Sequence, residues 1–230
     1  MPVSDAQQLT IGVDETRRVS GLLLMPARAR ACYVLAHGAG AGMTHPFMAA
    51  VAIGLAERSI ASLRFQFPYM ERRAKRPDPP ALAQATVRAA VAEAGRQATT
   101  LPLIAGGKSF GGRMTSQAQA AAALPGVRGL AFLGFPLHPS GRPSDERAAH
   151  LFDVQVPMLF LQGTRDALAE LPLLEPVVKR LSGRATLMRF KDADHSFHVP
   201  ARTGRKDAEV RREMLDVLAA WIDAVIADES

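Results

Sequence analysis

The sequence predicts an α/β protein: a mostly parallel, twisted sheet with helices on both faces and no separate cap domain. Three observations carry that reading. Short apolar runs alternate with longer helical segments from end to end, the order that builds parallel sheets. Several of those runs are apolar throughout instead of alternating, as strands covered on both faces must be. And 230 residues, 48% of them hydrophobic and 22% charged, suit one domain (residues 1–230) with a large core.

The elements follow in order. Leu9–Val13 and Val19–Met25 read as strands joined by a turn near Asp14-Glu15. Ala31–Ala36 is a continuous apolar strand, followed by the glycine-rich loop His37-Gly38-Ala39-Gly40-Ala41-Gly42. Pro46–Arg58 predicts a helix, with proline tolerated in its first turn. Ile60–Phe67 predicts a strand, Met70–Pro80 a polar, proline-rich loop, and Ala81–Thr99 an alanine-rich helix. Leu101–Gly106 is a short buried strand, and Arg113–Leu124 a helix rich in alanine and glutamine. Val127–Gly134 predicts a strand, and Phe135–His150 is irregular, broken by Pro136, Pro139, Gly141 and Pro143. Val156–Gly163 predicts a strand, a helix lies near Leu171–Leu181, and Ala185–Phe190 is the last strand. In the final helix, Asp207–Ala227, the apolar residues Val210, Met214, Val217, Leu218, Trp221 and Val225 recur at three- and four-residue steps, a stripe that faces a core.

Between the strand at Leu101 and the helix at Arg113 stands Gly107-Lys108-Ser109-Phe110-Gly111, a Gly-x-Ser-x-Gly pentapeptide. Strand, tight glycine-flanked turn and helix form the setting in which a serine hydroxyl is lifted clear of a sheet edge. A serine needs a base, and the base an orienting carboxylate. Downstream, Asp166 lies just past the strand ending at Gly163, and His195 in the loop after the last strand. Serine, acid, histidine is the chain order of triads built on this strand–turn–helix arrangement, and all three fall at carboxyl ends of strands, where open α/β sheets place their ligands. Ser109 is thus the expected nucleophile, His195 the base and Asp166 the acid. The rivals are His198 for the base, and Asp192 or Asp194 for the acid; Ser109 as a plain turn residue and Asp166 as a helix cap are the structural alternatives. The backbone N–H of Phe110, at a helix start, is one expected oxyanion donor; Ala39, or failing it Gly40, is the other. His37 is expected to support that loop, and Lys108 and Arg113, which flank the elbow, to brace it or pair at the surface rather than contact substrate. The loops Met70–Pro80 and Phe135–His150 are expected to wall an open site, with Tyr69, Phe135 and His138 lining the pocket.

Composition excludes other classes. No apolar run reaches the roughly 18 residues of a membrane span, so no membrane partner is expected. Met1–Asp5 has no basic stretch leading into an apolar one, so no secretory leader is expected. Cys32, the only cysteine, lies in an apolar strand and suits a core position and a cytoplasmic location. The net charge of +6 comes from scattered arginines with few aromatics between them, which points to a solvated surface and not to nucleic acid. A phosphate-binding loop ending at Gly107-Lys108-Ser109 requires glycine where Pro102 stands. No His-Glu-x-x-His or cysteine cluster offers a metal site, and no cofactor is implied.

The residues His37-Gly38-Ala39-Gly40, Leu63–Tyr69, Gly106–Arg113, Gly134–Pro139, Leu161–Asp166 and Asp192–Phe197 resemble the α/β-hydrolase superfamily, and within it the small, capless, dienelactone-hydrolase-like bacterial hydrolases, across about Val19–Ile226. The resemblance implies Ser109, Asp166 and His195 as triad. Dienelactone hydrolases proper use cysteine where this chain has Ser109, which argues against dienelactone as substrate. The expected function is hydrolysis of small or medium carboxylic esters, with thioesters and lactones also in range, through an acyl-serine. A binding module without turnover and an acyltransferase are the alternatives. Oligomeric state is not indicated.

Overall fold

The computed structural model describes residues 6–227; Met1–Asp5, the segment read for a leader, lies outside the described residues. Eight strands form one sheet: β1 Gln7–Gly12, β2 Arg18–Leu24, β3 Cys32–Ala36, β4 Ala61–Phe65, β5 Leu103–Lys108, β6 Val127–Leu133, β7 Met158–Gly163 and β8 Ala185–Phe190. Their order across the sheet is β1-β2-β4-β3-β5-β6-β7-β8. β2 runs antiparallel to both its neighbours, and from β4 to β8 every pairing is parallel.

The helices are α1 Pro46–Glu57, α2 Pro68–Glu71, α3 Pro80–Gln97, α4 Phe110–Ala121, α5 Leu171–Arg180 and α6 Asp207–Ala227. α3, α4 and α5 cover one face of the sheet, α1 and α6 the other. β3 shows how the strands serve both layers: Cys32, Val34 and Ala36 join the first, Tyr33 and Leu35 the second. The period of two in a strand sends successive side chains to opposite faces, so a strand covered twice is apolar at every position. Cys32 is wholly buried, and burial pushes its thiol up to about 12. No helix among the described residues is long and apolar enough to cross a membrane.

Several expected elements differ. α4 starts at Phe110, three residues before the point where its composition turns helical, because tertiary packing overrides the poor propensity of Gly111 and Gly112. The chain after Phe67 forms the short helix α2 where a loop was expected, and Glu146–Asp153 is a 3-10 helix packed on α4. Only that segment and an irregular stretch stand between β6 and β7, so among the described residues no cap covers the sheet. In α6, Leu215 and Ile222 share the buried stripe, while Trp221 is half-buried at its rim against Gly129.

The sheet order reverses at β3: β4 lies on one side of it and β5 on the other. Loops leaving the carboxyl ends of β3 and β5 diverge to opposite faces and open a crevice there. Both the His37–Gly42 loop and Ser109 stand at that crevice.

Close approach fixes the glycines around Ser109. Gly107 has φ +143, and a Cβ on it would stand 2.1 Å from the Ala36 carbonyl oxygen. Gly95, on the exposed side of α3, has nothing within 4 Å of such a Cβ. Gly107→Ala should therefore cost about 3 kcal/mol or more, or prevent folding, whereas Gly95→Ala should stabilise by up to about 1 kcal/mol. Urea denaturation of both variants measures the contrast.

Candidate active site

Ser109 sits between β5 and α4 with φ 51° and ψ −116°, a region that residues with a side chain rarely occupy. Its place is that of a helix N-cap, where a serine hydroxyl ordinarily accepts from the first turn. Here it makes no capping bond. Oγ lies instead 2.8 Å from Nε2 of His195, and Nδ1 of the same ring lies 2.7 Å from Oδ2 of Asp166. A carboxylate can only accept, so Nδ1 carries the proton, and Nε2 is left to accept from the Ser109 hydroxyl.

Asp166 is buried, and both its oxygens are satisfied. Oδ1 accepts from the Leu168 N–H at 2.8 Å, and Oδ2 accepts from Gln162 Nε2 as well as from His195. Gln162, wholly buried at the end of β7, also accepts the Phe135 N–H at 3.0 Å. One amide thus joins the loop after β6 to the carboxylate after β7. Sequence reasoning gave Gln162 no role; its signal was a lone polar residue closing the apolar run Met158–Leu161.

The histidine loop is held by its own neighbours. Asp194 Oδ1 accepts the N–H groups of Ser196 at 2.7 Å and His198 at 3.0 Å, so it shapes the loop and does not face His195 as the acid. His198 is exposed and paired with Asp207 at 2.9 Å, which turns its Nδ1 away from Ser109. Lys108 donates from Nζ to the His195 carbonyl oxygen at 2.6 Å and lies 5.8 Å from the Phe197 ring centroid. Burial lowers its ammonium to about 8, with Asp166 and Asp194 acting in the opposite sense. Lys108 is therefore a brace from the elbow to the histidine loop.

The loop after β3 is fixed from beneath. His37 is wholly buried; its Nε2 accepts the Phe67 N–H at 3.1 Å, so Nδ1 bears the proton and donates to the Gly38 carbonyl at 2.8 Å. In a trans peptide C=O and N–H point oppositely, so tying down the Gly38 carbonyl aims the Ala39 N–H the other way. Gly40 donates its own N–H to the Tyr69 hydroxyl at 3.2 Å. Met43 is gripped at both groups: Arg64 Nη1 donates to its carbonyl at 3.0 Å, and Gln66 Oε1 accepts its N–H at 2.8 Å. Phe110 opens α4, and the first N–H groups of a helix have no intrahelical acceptor.

A mostly apolar cavity of about 410 Å³ opens over Ser109. Its walls are the loop Gly38–Ala41, the start of α1 at His45, Phe47 and Met48, and Leu168 with the histidine loop. The loops 70–80 and 135–150, expected as walls, do not line it. Nor do the three expected lining residues. Tyr69 is buried under the β3 loop, its N–H accepted by Asp78 at 2.8 Å. Phe135 packs into the core on Phe132 and Phe160. His138 is buried, with Nδ1 on the Pro139 carbonyl at 2.9 Å. A hollow of similar size, about 390 Å³, lies near Leu101-Pro102 at the opposite ends of the strands.

With this geometry in place, comparison with known proteins identifies the family. The model described as an alpha/beta hydrolase domain matches residues 29–223. The chain belongs to the α/β-hydrolase family. Solved α/β hydrolases share its fold over nearly the whole chain. A dienelactone hydrolase from Anabaena variabilis has a TM-score of 0.75 at 19% identity, covering 96% of this chain and 99% of that one. A serine hydrolase without lid from Xanthomonas campestris has 0.73 at 23% identity, with 95% of each chain covered. The esterase domain of a Rhodothermus marinus protein has 0.72 at 16% identity, covering 95% and 98%. This α/β hydrolase shares the fold of all three, and among the described residues its sheet carries no cap.

The buried imidazole of His37 has a consequence for stability. Burial lowers its pKa to about 4 from the ordinary 6.5, against the opposing bond to Gly38. A histidine depressed in the folded state stabilises fully above pH 6.5, and that contribution is lost as pH falls toward 4, since the unfolded chain takes the proton first. His150, lowered to about 4 by burial and by Arg113, acts in the same sense, while the exposed His198–Asp207 pair opposes it weakly through solvent. The unfolding free energy should fall between pH 6.5 and 4, with roughly 2–3 kcal/mol from His37. His37→Asn should show a flatter pH dependence by that amount; an unchanged slope in urea titrations would contradict the assignment.

Proposed function

We propose that this hydrolase cleaves carboxylic esters through an acyl-serine intermediate. Ser109 is the nucleophile, His195 the general base and then acid, and Asp166 the carboxylate that orients it and stabilises its protonated form. The observation that carries the reading is the continuous chain from Ser109 Oγ through both nitrogens of His195 to Asp166, at 2.8 and 2.7 Å, in a serine that forgoes its capping bond.

As Ser109 Oγ bonds to the acyl carbon, its proton passes to His195 Nε2. The ring becomes an imidazolium, stabilised by the ionised Asp166 at Nδ1. The carbonyl oxygen takes up the electron pair and is met by the N–H groups of Phe110 and Ala39. The dipole of α4 favours negative charge at its start, and each donor contributes roughly 3 kcal/mol to the transition state. Gly40 is the poorer donor because Tyr69 already takes its N–H. The carbonyl re-forms, the carbon–oxygen bond to the alcohol breaks, and the proton on Nε2 goes to the leaving oxygen. A water then attacks the acyl-serine, giving its proton to the same nitrogen, and Ser109 leaves with it as the acid is released.

An apolar cavity and a serine nucleophile favour small or medium acyl esters. A binding module without turnover is a poorer account of a hydroxyl 2.8 Å from an imidazole that a buried carboxylate orients. The test is p-nitrophenyl acetate hydrolysis by the wild type, Ser109→Ala and Asp166→Asn. Turnover should fall by about 10⁴-fold or more in both variants, with the far-ultraviolet spectrum unchanged. Equal activity in wild type and Ser109→Ala would refute the proposal.

A further inference from the structure

A second hollow, of about 340 Å³, adjoins the cavity over Ser109. Phe47 and Ser196 line both. Beyond them the second hollow is bounded by Pro46, Ala50, Phe197, Asp207 and Arg211. Asp207 is already occupied, accepting from the Val199 N–H and pairing with His198, each at 2.9 Å.

Two features mark this hollow as built. Phe197 has φ 62°, a left-handed conformation that is costly for a bulky side chain and that persists where the surroundings impose it. Its ring is fixed edge-on to Phe190 at 5.7 Å and lies parallel to Phe47 at 6.1 Å, one on the histidine loop and the other in the first turn of α1. Phe47 is in turn set by His45, which caps α1 by accepting the Phe47 N–H at 3.2 Å.

The mechanism gives this hollow an orientation. His195 Nε2 must deliver its proton to the leaving oxygen, so the alcohol half of an ester departs on the histidine side of Ser109. Ser196 and Phe197, the two residues after His195, are walls of the second hollow. We propose that it is the leaving-group subsite, reached past Phe47, and that it takes an apolar alkyl or aryl alcohol. The charged side chains of Asp207 and Arg211 in its wall disfavour longer apolar groups. The acyl group occupies the cavity over Ser109. This inference rests on the serine-hydrolase reading above and adds which half of the ester confers selectivity on this side.

The test varies the alcohol at constant acyl group, from methyl to butyl acetate, and the acyl group at constant alcohol, from methyl acetate to methyl pentanoate. Ala50 is half-buried, faces the hollow and touches none of the reacting groups. In the wild type kcat/KM should rise along the alcohol series by up to about fourfold per methylene buried. Ala50→Phe, which fills the hollow, should flatten that series while leaving methyl acetate and the acyl series within about twofold; Ala50→Met should be intermediate. If Ala50→Phe keeps the wild-type alcohol slope, or changes the acyl slope instead, the subsite is wrong while ester hydrolysis stands. If the folded wild type hydrolyses no ester of either series, both the subsite and the reading beneath it fall. A thermal melt of each variant distinguishes a filled hollow from a damaged fold.

Discussion

The backbone of Ser109 is the constraint on which the rest depends. A conformation of φ 51° and ψ −116° costs on the order of 1–3 kcal/mol for a residue with a side chain, and it persists only where packing over-determines it. Here the packing is backbone on backbone. Gly107 lies against the Ala36 carbonyl, and a Cβ on Gly111 would stand 2.5 Å from that of His37, so β5 and α4 meet β3 at distances no side chain permits. That contact turns the chain within one residue, starts α4 directly after the serine, and leaves the hydroxyl standing over the crevice beside β3.

The loops meeting at the crevice are held by buried polar side chains and not by their own regularity. Gln162 joins the β6 loop to Asp166, Lys108 joins the elbow to the His195 carbonyl, and His37 with Arg64 and Gln66 fixes the β3 loop. Each makes a hydrogen bond to a backbone group or to Asp166. In a low-dielectric interior such satisfied contacts are directional, which apolar packing is not. The result is a site preorganised before a substrate arrives, and preorganised dipoles are what stabilise a developing oxyanion. Among the described residues no domain closes over the cavity, so its order rests on these side chains.

Much of this was legible in the sequence, for identifiable reasons. The alternation of continuous apolar runs with helical segments determines a doubly covered parallel sheet, and β8 and α6 fall at the expected residues. Ser109, Asp166 and His195 could be picked out because each follows a strand, and strand ends are where such a sheet gathers its loops. The cavity walls were not legible. Tyr69 and His138 are polar residues in loops, and nothing local tells a residue that faces a cavity from one that packs beneath it; Asp78 draws Tyr69 inward from nine positions along the chain. Phe135 reads equally well as wall or core until Phe132 and Phe160 are brought against it by β6 and β7. The choice between Ala39 and Gly40 turns on the direction of one peptide plane, which His37 sets across the fold. Gln162 went unread because its partners, Phe135 and Asp166, lie on two different loops.

In the proposed mechanism the strained turn and the imidazole together make one hydroxyl of this chain nucleophilic. Mass-spectrometric mapping of a fluorophosphonate adduct tests it most directly, because covalent capture reports nucleophilicity without choosing a substrate. A single adduct is expected on the peptide carrying Ser109, formed at least about a thousandfold more slowly when His195 is replaced by asparagine. An adduct on another serine, or labelling of Ser109 at the same rate without the imidazole, would contradict it.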